Sequence, residues 1–329
     1  MLFSLILPTY NVERYIATCL ESCCTQEGIS PSDYEIIIVN DETPDSSIDV
    51  AKKVIERYPK HNWKIVNRKN GGLSAARNSG MDAAVGKYLW FIDSDDYIEK
   101  KSLSILSEIV ACKDYDIVNF THKTIYKDKH IVGGKSFDAY ETTGAEYLAH
   151  TDFLSAWTLI YKREFLLENN LRFKEGFIWE DSEFNIRAYM LTKKCLCVSN
   201  ALYYYIRREN SISDLKATPY STHSRISNVI GLEKFISSRE WSKEEKKIMY
   251  THLAKLLVGA IAGLPELEMQ DRIKYRGQIR LERNLNKNIF LNCADKKYRI
   301  MLFAFFIWPK FAENYLNIKI HEAIINSKK

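Results

Sequence analysis

Apolar side chains dominate four short stretches in the first third of the chain, residues 2–8, 34–39, 63–66 and 88–92. The 88–92 run predicts a strand buried on both faces, 2–8 a hydrophobic strand, 34–39 a buried strand, and 63–66 a third, shorter strand. Between the first two, Val12, Tyr15, Ile16, Cys19, Leu20 and Cys23 recur at helical spacing, with Asn11 placed to cap the helix. Residues 48–58 repeat the helical pattern, and residues 73–84 predict a helix of small side chains that admits close approach. Strand alternating with helix predicts an α/β fold built on a mostly parallel sheet with crossover helices. Further on the pattern predicts a helix at 103–112 and a strand at 115–120. A hairpin or loop insertion follows at 121–144, then an apolar aromatic stretch at 153–161 and a helix at 162–169. Another helix opens on acids and carries Phe184, Ile186, Tyr189 and Met190 on one face, before strands at 195–198 and 201–206. From residue 216 the pattern is helical throughout: 226–237, 243–263, 267–291 and 298 onward.

A chain of 329 residues suffices for one large domain with an appendage, or for two. The predicted division is an α/β domain at 1–215, with halves at about 1–95 and 96–215, then a helical region at 216–329. Charge follows it. Residues 216–329 hold 21 Lys and Arg against 11 Asp and Glu, whereas residues 1–215 hold 26 against 31. Seven cysteines, an odd number scattered through apolar segments, predict reduced thiols and a cytoplasmic setting. The first residues read as a strand, not a leader, and no apolar run reaches the ~18 residues of a spanning helix. Arg272, Lys274, Arg276, Arg280, Arg283 and Lys287 are expected to form a basic face. Lys296, Lys297 and Arg299 precede an apolar run at 300–308 that ends in Trp308. Three settings suit residues 272–310: the anionic inner face of the plasma membrane, a buried packing surface, or a homo-oligomer interface. Nucleic acid is not expected, because no recognition motif accompanies the charge.

Chemistry concentrates at Asp93-Ser94-Asp95-Asp96, directly after the 88–92 strand. Carboxylates this close repel one another unless a cation sits among them, and hard oxygen ligands suit Mg²⁺ or Mn²⁺. The competing reading is a solvated acidic turn, with Asp96 capping the next helix. Arg77, on the small-residue helix, is a candidate anion contact. Trp179-Glu180-Asp181 sets an aromatic ring beside two carboxylates, a useful arrangement for a general base, although acids at a helix start also complement its dipole. Arg207 and Arg208, with Ser211-Ile212-Ser213, form a basic turn rich in donors.

Taken in order, Leu7-Pro8-Thr9-Tyr10-Asn11, Ile38-Val39-Asn40-Asp41, Asn70-Gly71-Gly72 with Ala76 to Gly80, Phe91 to Asp96, Trp179-Glu180-Asp181, and Tyr203 to Arg208 with Ser211 to Ser213 resemble the family 2 inverting glycosyltransferases. The likeness is to bacterial members that build surface polysaccharides on a GT-A fold. The resemblance implies that Pro8, Tyr10 and Asp41 hold the base of a UDP-linked sugar. Asn70 and Arg77 would reach base, ribose or phosphate, Asp93 would lie beside the ribose, and Asp95 would carry Mn²⁺ or Mg²⁺. Asp181 would be the catalytic base, with Trp157, Trp179 and Glu180 on the acceptor side and Arg207 and Arg208 over the diphosphate. The acceptor would be a glycan or a polyprenyl-linked saccharide. Glu42 stands where the family has glycine, a position where φ > 0 or close approach is needed. Two other classes compete: a sugar nucleotidylyltransferase, disfavoured by Pro8-Thr9-Tyr10-Asn11 in place of a glycine-rich loop, and an inactive sugar-nucleotide-binding scaffold.

Overall fold

A computed structural model describes residues 1–128, 130–134, 136–208 and 216–326. Ser211 and Ser213 lie outside the described residues. The chain forms two compact units, Met1–Gly176 with Ala188–Ser211, and Phe177–Arg187 with Ile212–Lys329.

The first unit is an α/β body around one sheet. Strands β1 (Phe3–Thr9), β2 (Tyr34–Asn40), β3 (Asn62–Asn67) and β4 (Tyr88–Phe91) run parallel in the order β3-β2-β1-β4. All but β3 are almost wholly buried, which matches their largely apolar sequences; the buried exceptions are paired, Ser4 donating to Glu35 at 2.6 Å and Glu35 bound to Lys64. The sheet continues through β9 (Leu159–Lys162), β6 (Ile117–Ile125), β10 (Cys195–Ile206) and the two-residue β5 (Tyr97–Ile98). Strand β9 is antiparallel to both neighbours, and β5 is antiparallel to β10. The insertion at 121–144 is β7 (Ile131–Gly133), paired to β6, and β8 (Tyr140–Thr142), paired to β10.

Helices α1 (Ile16–Cys24), α2 (Ser47–Arg57) and α3 (Leu73–Ala83) are the crossovers between β1 and β4. Two expectations change here. Asn11 does not cap α1: it sits at φ 56°, in the left-handed region Asn tolerates, and the helix starts later, with Tyr15 at the cap position. The small residues of α3 serve helix–sheet contact, for a Cβ on Gly80 would come within 2.2 Å of Ile6 Cγ2 on β1. Asp96 does not cap α4 (Ser102–Cys112) either; Lys101 holds that position, and the short helices α5 (Gly144–His150) and α6 (Arg163–Glu168) follow.

The second unit is helical. α7 (Glu180–Leu191) begins in it, whereas the sequence pattern groups residues 177–187 with the α/β domain. Asn228 of α8 (Pro219–Ser237) explains part of the observed grouping, donating to the Ile178 and Trp179 carbonyls at 3.1 Å each. α9 (Lys243–Gly263) is the core helix. The single helix expected at 267–291 is two, α10 (Met269–Leu281) and α11 (Arg283–Asn292), broken where Glu282 takes ψ 63°. The last stretch is likewise two, α12 (Lys296–Ile307) and α13 (Pro309–Asn326). The seven cysteines are free, and all but Cys112 are buried.

Candidate functional site

Because β1, β2 and β4 run parallel, their carboxyl ends lie along one edge, where ligands gather in open α/β sheets. The turn after β4 brings one carboxylate oxygen each from Asp93, Asp95 and Asp96 within 4.8 Å of one another. Asp96 is buried; its carboxylate accepts from the Tyr203 hydroxyl at 2.9 Å and the Ile206 N–H at 2.8 Å, both on β10. Burial, then the Asp93 charge, pushes its pKa well above the ordinary aspartate value. The Asp93 N–H donates to the same Tyr203 hydroxyl at 3.2 Å. One buried tyrosine therefore ties the acid turn to the strand that leads into Arg207 and Arg208.

The other two acids are paired with arginines. Arg77 is 1% exposed, packs over the Phe173 ring at 5.2 Å and donates to Asp93 Oδ1 at 2.9 Å. Arg208 forms an ion pair with Asp95 while stacking on Tyr15 at 4.6 Å. Arg207 lies over Tyr126 at 5.7 Å. The three carboxylates form an oxygen donor set that fits a divalent cation.

Beside this turn, Ser94 Oγ donates to the Pro8 carbonyl at 2.6 Å. Asp41, at the end of β2, is buried and ion-paired with Arg68, and accepts from the Gly71 N–H at 3.1 Å and the Gly72 N–H at 2.8 Å. The Asn70 N–H donates to Glu42 Oε2 at 3.1 Å. Glu42 itself sits at φ 56°, so the conformation is the one for which glycine is suited, adopted here by a glutamate. Tyr10 is exposed on the adjoining loop. Trp157 is buried, stacked on Tyr203 at 4.6 Å and Tyr205 at 5.6 Å. Beyond it lies a cavity of about 440 Å³ whose lining includes His122, Phe153, Tyr140, Tyr147 and Thr121 and, among the described residues, no Asp, Glu, Lys or Arg. Burial pushes the His122 pKa down, which favours the uncharged ring.

The remaining predicted residues stand at the start of α7, in the second unit. Trp179 takes φ 63° and lies under the Arg225 guanidinium at 4.0 Å, and burial brings that arginine down to about 10. Glu180 is buried, Asp181 is half-buried, and Glu183 is held by Arg187 through bonds of 2.8 and 2.6 Å. Sequence reasoning missed Arg68, Tyr15, Phe173 and the anchoring roles of Tyr203 and Asp96. The Tyr203-Tyr204-Tyr205 run and the acid run at 93–96 are the signals that pointed toward Tyr203 and Asp96.

Comparison with known proteins follows the same geometry. A family model described as Glycosyl transferase family 2 matches residues 4–168. The uncharacterized glycosyltransferase EpsJ of Bacillus subtilis is 34% identical over 227 residues, covering 66% of this chain and 64% of that protein. The chain thus spans just under two thirds of that relative. Among solved structures, S. aureus TarS 1-349 in complex with UDP-GlcNAc superposes with a TM-score of 0.74 at 21% identity, covering 98% of this chain and 92% of that one. A mannosyltransferase from Pyrobaculum calidifontis in complex with GDP-Man and Mn²⁺ gives a TM-score of 0.56 at 14% identity, covering 94% and 87%. These likenesses show the fold: GT-A-type α/β with a helical C-terminal region, as the sequence predicts.

Proposed function

We propose, for a chain that belongs to glycosyl transferase family 2, that it moves a sugar from a nucleotide donor, of the UDP-hexose or UDP-N-acetylhexosamine class, to a glycan or lipid-linked saccharide in cell-surface polysaccharide synthesis on the cytoplasmic side. The observation that carries the reading is the carboxylate cluster with Arg208 held at Asp95. Asp95, with Asp93 beside it, would hold Mn²⁺ or Mg²⁺, which when bound offsets the charge of a leaving diphosphate. Arg208, already at the cluster, and Arg207 next to it supply further positive charge there without moving a proton. Pro8, Tyr10, Asp41 and Asn70 stand at the neighbouring strand ends and suit recognition of the base, and Arg77 fixes Asp93 for the ribose.

The reaction breaks the bond from the anomeric carbon to phosphate oxygen and forms one to the acceptor oxygen. Asp181 takes the acceptor's proton, while Glu183 is committed to Arg187. Attack opposite the leaving group inverts the centre, so an α-linked donor gives a β-linked product. Trp179 and Glu180 precede the base, and the aromatic lining of the cavity beyond Trp157 suits a sugar on the acceptor side.

The test is hydrolysis of a panel of nucleotide sugars with and without Mn²⁺, together with UDP affinity of Asp95→Ala. Cleavage of one donor class that requires the metal, and loss of metal-dependent UDP binding in a folded Asp95→Ala protein, are expected. Unchanged UDP affinity in that variant sinks the metal assignment, and no cleavage of any donor favours the scaffold reading.

A further inference from the structure

The second unit carries a surface that glycosyl transfer does not use. α11 and α12 enclose a groove of about 430 Å³ with an apolar floor of Phe290, Leu302, Phe303 and Phe306. Its rim is cationic: Arg280, Arg283, Lys287 and Arg299. Among the described residues no acidic side chain lines it, and none of these four cations has an ion-pair partner. Arg272 and Arg276, from the same basic stretch, behave differently: both are taken up by the fully buried Glu313. The basic face expected at 272–287 is therefore split: Arg272 and Arg276 are structural, whereas Arg280, Arg283 and Lys287 line the groove together with Arg299.

The apolar side of the groove continues into solvent. Ile300, Phe303 and Ile307 share one face of α12 at helical spacing and are exposed, Ile300 by 67%, and the helix ends in Trp308, exposed by 64%. Contiguous apolar surface of this kind on a folded unit marks a contact with something.

We propose that this face docks on an anionic lipid bilayer, the four cations meeting headgroup phosphates while Ile300, Phe303, Ile307 and Trp308 enter the boundary with the acyl chains. Charge decides against a second copy as the occupant. A two-fold contact through one patch sets the same unpaired cations against each other. Attachment is peripheral. The one helix among the described residues long and apolar enough to cross a membrane, within Lys243–Glu266, has 61% of its most apolar window buried inside the fold.

The experiment is co-sedimentation of the full chain with vesicles of phosphatidylglycerol and phosphatidylcholine in equal parts, against phosphatidylcholine alone, across a salt series. Point substitutions are needed, because cutting the chain before α12 removes Glu313 and strands Arg272 and Arg276. Binding to the anionic vesicles only, weakening with salt, is expected. Arg283→Gln and Arg299→Gln should each weaken it roughly five-fold, and Phe303→Glu, at an exposed position, should release the protein. Nucleotide-sugar hydrolysis in solution should be unchanged in all three. Wild-type protein left in the supernatant at low salt overturns the proposal. So does a fall to half the molecular mass in Phe303→Glu by light scattering, which assigns the patch to a second copy, or anionic binding that duplex DNA competes away and Phe303→Glu leaves intact. If no donor is cleaved by any form while vesicle binding follows this pattern, the enzymatic reading fails and the membrane face stands.

Discussion

Tyr203→Phe isolates what holds the acid turn. The ring is fully buried and stacked on Trp157, so the phenylalanine keeps the packing and removes only the hydroxyl. Two bonds go with it: the donation to Asp96 Oδ2 at 2.9 Å, and the acceptance from the Asp93 N–H at 3.2 Å. Asp96 keeps the Ile206 N–H, whereas the Asp93 N–H loses the hydroxyl that accepts from it. Taking the partner from a buried polar group costs about 1–3 kcal/mol, and the vacated hydroxyl space adds a smaller cavity cost. A local loss of about 2 kcal/mol is the working figure, since the turn can relax toward solvent at Asp95. Two compact units need not unfold together, so a single melting curve is a poor readout. Hydrogen exchange by mass spectrometry over 91–98 and 195–206 reads the site directly. About 2 kcal/mol corresponds to roughly 30-fold faster exchange there, with segments of the helical unit unchanged. Mn²⁺-dependent UDP affinity should fall in parallel. If exchange over 91–98 stays within about three-fold of wild type, Tyr203 is packing and not the anchor, and the reasoning fails.

Asp181→Asn keeps size and most hydrogen bonding but cannot accept a proton, so transfer should fall about 10²–10⁴-fold with donor affinity near normal; transfer surviving in Asp181→Asn but lost in Glu180→Gln moves the base one residue back. Burial pushes Asp45 up, but bonds from the Ser47 and Thr43 hydroxyls and the Glu13 and Ser47 N–H groups outweigh it and bring its pKa to about 2. Its folded pKa lies below the ordinary ~3.9, so it contributes about 2 kcal/mol above pH ~4 that is lost as pH falls through about 2. Asp45→Asn should flatten acid unfolding over that window, and an unchanged acid profile would count against the hydrogen-bond set. At Glu42, both Gly and Ala lose the bond to Asn70, but only Gly relieves the left-handed backbone. Glu42→Gly should therefore be more stable than Glu42→Ala by about 1 kcal/mol in urea unfolding, and the reverse order would refute the φ assignment.

Strands β1, β2 and β4 were legible because burial writes itself as runs dense in apolar residues, and the acid turn because it follows one of them directly. What stayed hidden depends on contacts between distant positions. Arg68 reaches Asp41 from a polar loop with no period to mark it. Tyr203 meets Asp96 across 107 positions, and nothing in a tyrosine-rich strand says which hydroxyl is buried. Local dihedral choices were equally opaque: Asn11 suits a cap or a left-handed turn, and only the tertiary setting selects. In the tail, the basic period from 272 to 287 hid both the break at Glu282 and the inward turn of Arg272 and Arg276 toward a glutamate about forty residues on.

The chain leaves its first unit at 177, contributes eleven residues to the helical one, and returns at 188 before leaving again. The segment that makes this excursion contains Asp181, and its backbone carbonyls at Ile178 and Trp179 are bonded to Asn228. The helical region is thus not a cassette that can be unplugged after residue 215. A chimaera that imports residues 216 onward from a relative would inherit a foreign α8 beneath a native 177–187, with two carbonyls reaching for an asparagine of another lineage. Grafts that respect the fold must splice at three points, and they would carry the proposed base along with the tail.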